Sequence, residues 1–260
     1  MTTHLLAAGD VVSHLTDYEL IGPYFTAHHF LLLMAAGVMI VLFNTVARNA
    51  RRYPARTGMT SLIEVGMVWV RDEIVYPWLG EKDGRKYLYF FWTLFFFILI
   101  SNIIGLFPAP FNPWMRGATG NVSVTLTLAL ISFVTVQVAG MKKHGWFGYW
   151  VHLVPGGVPW LLWPLVWVIE FIGIFTKPFA LTVRLFANMT AGHAILEVLF
   201  GFLAGVAHYS NPGIATLSSV SSFAFILFIM LFETLVALIQ AYIFTVLTAI
   251  FISLAVASDH

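Results

Sequence analysis

The chain contains no cysteine, and few of its side chains carry a charge: acidic and basic residues together make up 10% of the 260 positions. Without cysteine, disulfides, thiol chemistry and thiolate metal sites are excluded. The net charge of +1 argues against a nucleic-acid partner, because phosphate binding requires clustered lysine and arginine. No lysine or arginine precedes Arg48, so we expect no secretory signal with a basic first segment.

Apolar side chains dominate what is present, since 60% of the residues are hydrophobic. A soluble domain of this size could not stay dispersed in water with such a composition, and the solvent of this chain must be lipid. We therefore predict an all-α integral membrane protein with about five membrane-embedded helices. It would form one membrane domain over residues 29–260, preceded by an external tail over 1–28 that carries a short helix at most.

The apolar segments are long enough to span a bilayer, since a spanning helix needs roughly 20 residues. Residues 58–79 mix charges with Leu and Trp and predict an amphipathic helix on the cytoplasmic face instead. The last two segments would each be about 60 Å long as helices, about twice the hydrocarbon thickness. We expect them to tilt steeply or bend, and to pair as a hairpin. The predicted helices cover about 29–47, 87–107, 122–141, 165–208 and 217–257.

The basic residues indicate the orientation. Five crossings with the N-terminus outside and the C-terminus in the cytoplasm place ten of the thirteen basic residues on the cytoplasmic side, as the positive-inside rule requires. These ten are Arg48, Arg51, Arg52, Arg56, Arg71, Lys82, Arg85, Lys86, Lys142 and Lys143.

A few ionisable side chains lie inside the last two apolar segments. Each costs at least about 2.5–3.5 kcal/mol at mid-membrane, so a functional role is the default interpretation. At 100° per residue, three of them and one asparagine form a helical stripe within about 40°, and His193 lies on the opposite side of that helix. The stripe consists of Glu170, Lys177, Arg184 and Asn188.

A turn between the two segments is predicted at Asn211-Pro212-Gly213. An antiparallel hairpin with its apex there pairs Arg184 with Gln240. It also pairs His193 with Glu233, about 13 Å further along the helix axis. Both pairs are chemically sensible, and the two polar sets lie on different sides of Arg184.

Several stretches carry a family resemblance. The run from Thr176 to His193, TKPFALTVRLFANMTAGH, resembles the signature of subunit a of F-type ATP synthase, the stator subunit that conducts protons past the rotating c-ring. The stretches SNIIGLFP over 101–108 and QAYIF over 240–244 agree with the same family, as does Glu170, fourteen residues before the arginine. The resemblance covers about residue 29 to the C-terminus.

The resemblance implies that Arg184 faces the essential carboxylate of the c-ring, with Asn188 and Gln240 as polar neighbours. His193 and Glu233 are implied to line an outer half-channel, and Glu170 a cytoplasmic one. Some bacterial members carry the acid and the histidine of the outer pair at exchanged positions, and the arrangement here is similar to that of mitochondrial members.

The same resemblance implies a non-catalytic subunit whose partners are the c-ring, the peripheral-stalk subunit b, other ATP synthase subunits and the lipid bilayer. ATP would be made elsewhere, since no phosphate-binding loop of the Walker type occurs. No cofactor or metal is expected, although His193 and Glu233 could supply two ligands. The long tail favours a bacterial inner membrane, and the exchanged pair favours the mitochondrial inner membrane. Proton is favoured over sodium by family frequency.

Structural roles remain open beside these functional ones. Arg184 could pair with Glu170 or Glu233 and lock the helices. Lys177 either snorkels to the interface or lines the channel. Asn102 is a further candidate for the channel lining. Two other residues either line the outer cavity or lie at the interface near the external loop: Glu197 and His208.

Two other functions are compatible with charges in apolar helices. A stand-alone ion transporter or channel predicts an internal inverted repeat, and none is visible in the sequence. An intramembrane enzyme predicts a motif such as H-E-x-x-H or G-x-S-x-G, and neither occurs.

Overall fold

The computed structural model describes residues 19–21, 25–49, 58–106, 118–151, 153–154, 157–206 and 212–257. These ranges are helical almost throughout, and within them five helical segments are long and apolar enough to cross a membrane. The prediction of an all-α membrane protein is confirmed. The five segments are His29–Arg48, Thr60–Leu106, Val122–His144, Trp163–Leu203 and Thr216–Val256.

The described part of the N-terminal tail is a two-stranded antiparallel ribbon. Strand β1 is Glu19–Ile21 and strand β2 is Phe25–Thr26. The tail was expected to carry a short helix at most, and its described residues before Ala27 form strands. Ile21, Phe25 and Thr26 belong to the residue types that favour extended backbone.

The first spanning helix, α1, is Ala27–Asn49. The segment predicted to be interfacial consists of α2, Gly58–Trp69, and a π-helical turn, Val70–Val75. Both continue into α3, Tyr76–Leu106. Within α3 the backbone of Gly80 leaves the helical region, with φ 70° and ψ 169°. Glycine adopts this conformation without steric cost, so the chain changes direction here.

The spanning part of α3 begins after Gly80, about six residues before the predicted start at residue 87. Charged residues form its first two turns. Arg85 donates to Glu81 over 2.7 Å, and Lys86 donates to Asp83 over 2.6 Å. Ion pairs three and four residues apart stabilise a helix, which explains why these charges lie in the helix and not in a loop.

Helix α4, Val122–His144, has clear ends. It follows a 3₁₀ turn at Ala118–Gly120, and the Asn121 side chain caps it by accepting a hydrogen bond from the Ser123 N–H over 2.8 Å. It ends at Gly145, whose φ of 77° suits glycine. The short helix α5, Trp146–Val151, comes next.

The last two helices are as long as the sequence predicts. Helix α6 is Trp163–Val206, with 44 residues, and α7 is Pro212–Val256, with 45. At 1.5 Å per residue each is about 65 Å long. Pro212 is the first residue of α7 and not the apex of a turn, which agrees with the preference of proline for the first helical position.

The helices pack around α7, which contacts α3, α4 and α6. The side chains on the contacting face of α7 are small. Ala237, Ala241 and Ala249 are at most 3% exposed. Thr245 and Thr248 are fully buried and donate to carbonyls one turn earlier. Small and hydroxylated residues allow close helix packing in a membrane, and this packing determines which faces of α6 and α7 remain uncovered.

Candidate functional site

The hairpin of α6 and α7 brings Glu233 against Gly192. A β-carbon on Gly192 would lie 2.6 Å from Oε1 of Glu233 and 2.9 Å from its Cδ. This contact is one residue from the predicted pairing of Glu233 with His193, so the predicted register is confirmed here. The Oε1 atom is buried and has no hydrogen-bond partner among the described residues. A buried acceptor of this kind is suited to bind water or carry a proton.

His193 lies beside the 3₁₀ turn that precedes α4. A β-carbon on Gly120 would be 3.9 Å from the imidazole Cδ2. The imidazole is half-buried. His193 and Glu233 are therefore close neighbours at one end of the helix bundle, the end at which α4 begins.

Arg184 is more exposed than the other predicted site residues whose side chains the structure describes. Its side chain is exposed on the outer face of α6, where Phe179 and Val183 are 66% and 44% exposed. It forms no ion pair or hydrogen bond with any residue that the structure describes. The alternative of an ion pair with Glu170 or Glu233 is therefore wrong for this chain. Its two proposed polar neighbours, Asn188 and Gln240, are half-buried.

A cavity of about 300 Å³ lies at the opposite end of α4, between α4, α5, α6 and α7. Glu170 and Lys177 line it, and on α6 the lining ends at Leu181, three residues before Arg184. The volume is sufficient for several water molecules. The cavity therefore reaches from the end of the bundle to within one helical turn of Arg184.

Lys177 contacts Glu170 in this cavity. Its Nζ is 3.9 Å from Oε2 of Glu170, and it lies 5.4 Å from the ring centre of Phe251 on α7. Both charged side chains are 38% exposed. Water screens a pair of this kind, so its contribution to stability is less than about 1 kcal/mol. Lys177 lines the cavity here and does not extend away from it.

The cavity has a polar wall on α4. Ser132 and Gln137 line it, and Ser132 Oγ and Gln137 Oε1 are buried without a hydrogen-bond partner in the described part of the chain. The sequence had indicated that the hydroxyls of this helix could seal backbone groups or border a wet cavity. Tyr149 of α5 also lines the cavity, and burial raises the pKa of its hydroxyl. At neutral pH it therefore stays a protonated donor.

Sequence reasoning missed Tyr149 and His144 as lining residues of this cavity. Their signal was weak: His144 is the last residue of α4, next to two lysines that mark a membrane boundary, and Tyr149 lies in the aromatic, glycine-rich connection that follows, which predicts an interfacial belt. Only the fold brings that connection over the end of α7.

The remaining candidates fall outside these contacts. Asn102 is 1% exposed and hydrogen-bonded to Thr119, and it lines neither of the two cavities described here. The backbone of Glu197 belongs to α6, but its side chain is outside the described residues, and His208 is outside them altogether. A second cavity, of about 420 Å³, lies between α1, α3 and α4 and includes His29 and Asn121.

Metal binding has little support in the described ranges. Among these residues no three His, Cys, Asp or Glu side chains converge on one point. The His193 and Glu233 pair would supply two ligands at most, fewer than protein zinc sites use.

Five long apolar helical segments within the described ranges define an integral membrane protein of the all-α class. The family described as ATP synthase A chain matches residues 29–253. The chain belongs to this family.

Curated relatives are similar over most of the chain. The ATP synthase subunit a of Myxococcus xanthus is 42% identical over 236 residues, which are 90% of this chain and 74% of that protein. The protein of the same name from Chloroherpeton thalassium is 41% identical over 239 residues, 90% of this chain and 68% of that protein. That from Anaeromyxobacter dehalogenans is 41% identical over 231 residues, 87% of this chain and 56% of that protein.

Proposed function

We propose that the chain is the proton-translocating, non-catalytic stator subunit of an F-type ATP synthase, in which Arg184 separates two offset half-channels. One observation carries the proposal: Arg184 projects outward from an apolar helix face and has no partner within the described chain. In lipid such a charge is costly. An acidic partner on a neighbouring subunit would offset that cost.

A carboxylate on the c-ring fits that requirement. A rotor carboxylate that has lost its proton is costly in lipid, and a nearby guanidinium stabilises it. Arginine does so without itself giving up or carrying a proton, which lysine could do in the same place. The same fixed charge repels protons and so prevents a direct leak between the two half-channels.

The two polar sets provide the access routes. The cavity beside Glu170 extends to Leu181, within a turn of Arg184, and supports the cytoplasmic half-channel. His193 lies nine residues beyond Arg184, about 13 Å along the helix axis, and with Glu233 it forms the outer half-channel. Protons enter at that pair, load the rotor carboxylate, and leave near Glu170 after almost a full rotation. Asn188 and Gln240 are the polar neighbours of Arg184.

The partners and the location follow from this role. The relatives are named as subunits of ATP synthase. For this chain we propose the c-ring, the peripheral-stalk subunit b and other synthase subunits as partners, in the inner membrane of a bacterial cell. The N-terminus is outside and the C-terminus in the cytoplasm. ATP is formed elsewhere in the complex.

A stand-alone ion channel is less compatible with the geometry. A pore of its own would need the arginine directed into the bundle, towards a water-filled path. Arg184 instead lies on the uncovered face of α6, which favours a mechanism completed by a partner.

Replacement of Arg184 by alanine in the assembled complex tests the proposal. We expect proton-driven ATP synthesis in membrane vesicles to be abolished, while Val183→Ala at the neighbouring exposed position leaves it close to wild type. Quantification of the assembled complex in both preparations controls for folding. Retained proton-coupled synthesis in the R184A complex would refute the proposal.

A further inference from the structure

Two buried hydrogen bonds in series join three parts of the molecule near the His193–Glu233 pair. The Thr119 hydroxyl donates to Oδ1 of Asn102 over 2.8 Å. The Asn102 amide nitrogen donates to the carbonyl oxygen of Ala237 over 3.4 Å. Thr119 is 0% exposed and Asn102 1%. These bonds connect the 118–120 turn, α3 and α7 in a dry environment, where hydrogen bonds are strong and hard to replace with water.

Both ends of this series of hydrogen bonds lie next to the His193–Glu233 pair. Ala237 is four residues, or about one helical turn, after Glu233 on α7. Gly120, the neighbour of Thr119, approaches the imidazole of His193, since a β-carbon there would be 3.9 Å from Cδ2. A shift of the turn relative to α7 would therefore change the distance between the imidazole and the carboxylate.

We propose that Thr119 is a positioning residue for the His193–Glu233 pair. It acts on the pair through Asn102. Its hydroxyl donates to the amide oxygen, so the amide nitrogen is directed at the Ala237 carbonyl. The reverse amide orientation would set two oxygen acceptors against each other. The proposal rests on the proposed function, because the pair has a role to support only if it passes protons.

Replacing Thr119 by valine tests the role of the hydroxyl, because the side chain keeps almost the same shape. Thr119→Val removes the donor and leaves Oδ1 of Asn102 buried without its partner, which frees the amide to rotate. Thr119→Ser keeps the donor. If Thr119 only fills space, the two variants should need nearly the same proton concentration for half-maximal ATP synthesis. If its hydroxyl positions the pair, T119V should need a different concentration from T119S.

The experiment uses the assembled ATP synthase in membrane vesicles. ATP synthesis is measured while the pH varies on the side of the His193–Glu233 pair and stays fixed on the other. For T119V we expect the proton concentration at half-maximal rate to rise about 3- to 10-fold, the size of one lost hydrogen bond, with the maximal rate changed less than about twofold. T119S is expected to match wild type. His29, another titratable group near this turn, is the same in both variants.

The outcomes are decisive. A T119V titration identical to wild type, or a T119S titration as impaired as that of T119V, overturns the proposal. If T119V does not accumulate, Thr119→Ala replaces it. If neither donor-free variant accumulates and T119S does, the hydroxyl serves assembly and the positioning role is wrong. R184A in the same vesicles separates the two proposals: if R184A is inactive and T119V is normal, only the role of Thr119 is refuted.

Discussion

Oε1 of Glu233 occupies the space where a side chain on residue 192 would begin: a β-carbon on Gly192 would lie 2.6 Å from it. The carboxyl group therefore rests on the backbone of α6, one residue before His193. A larger residue here would displace the carboxyl group, whereas the backbone itself sets no demand for glycine, because residue 192 is helical.

Gly192→Ala is expected to displace the Glu233 carboxyl group and to reduce proton-driven ATP synthesis about tenfold or more, since a misplaced proton-transfer group loses much of its effect. The matched control is Gly201→Ala on the same helix, where no atom lies within 4 Å of the added carbon. Alanine favours the helix by about 1 kcal/mol over glycine, so G201A should assemble and work normally. Equal synthesis rates for G192A and G201A would contradict the proposed contact.

Gln137 tests the polar wall of the cavity beside Glu170. Its Oε1 is buried without a partner in the described part of the chain, and its side chain forms a hydrogen bond with the Tyr149 hydroxyl. Gln137→Leu removes this bond together with the unsatisfied acceptor, so the two effects oppose each other. We expect it to lower the thermal stability of the complex by at most about 1 kcal/mol.

The same substitution should lower proton flow several-fold, because it makes the α4 wall of the cavity apolar. Passive proton flux through the membrane sector, measured after removal of the ATP-forming part, reports this directly. Val138→Leu is the control: Val138 is 38% exposed and is not in the cavity lining. A normal proton flux in Q137L would show that proton flow does not depend on the polar wall of the cavity.

Gly140 is the point at which α5 and the end of α7 meet α4. A β-carbon there would collide with the Tyr149 ring and lie 3.1 Å from the carbonyl oxygen of Ala255. Overpacking of this kind costs about 1–3 kcal/mol. We expect Gly140→Ala to lower the thermal midpoint of the purified complex. Gly37→Ala on α1, with nothing within 4 Å of the added carbon, should leave the midpoint unchanged, and equal midpoints for both would refute the close packing.

Much of this fold follows from apolar segment length and turn residues. The ends of α6 and α7 lie within about five residues of their predicted positions, and the hairpin register is correct within one residue at Gly192 and Glu233. Periodicity is effective here because the polar residues are few, so each one carries information about a helix face.

The direction of Arg184 could not be predicted in the same way. Apolar residues occur all round helix α6, so they do not distinguish a face covered by α4 and α7 from one that stays uncovered. The contribution of Thr119 was also invisible, because the partners of that hydroxyl are brought together from α3 and α7 by tertiary packing. The start of the second span directly after Gly80 was missed, because the charged residues before residue 87 were left out of the predicted helix, whereas ion pairs hold them in it.

The central claim is that Arg184 faces a carboxylate of the rotor. A density map of the assembled membrane sector, resolved to side chains, measures this directly. The account predicts a c-ring carboxylate within about 6 Å of the Arg184 guanidinium, the range over which an opposite charge stabilises a carboxylate, with the cavity beside Glu170 opening to the cytoplasm. A guanidinium directed at lipid, or at a stator subunit instead of the ring, would contradict it.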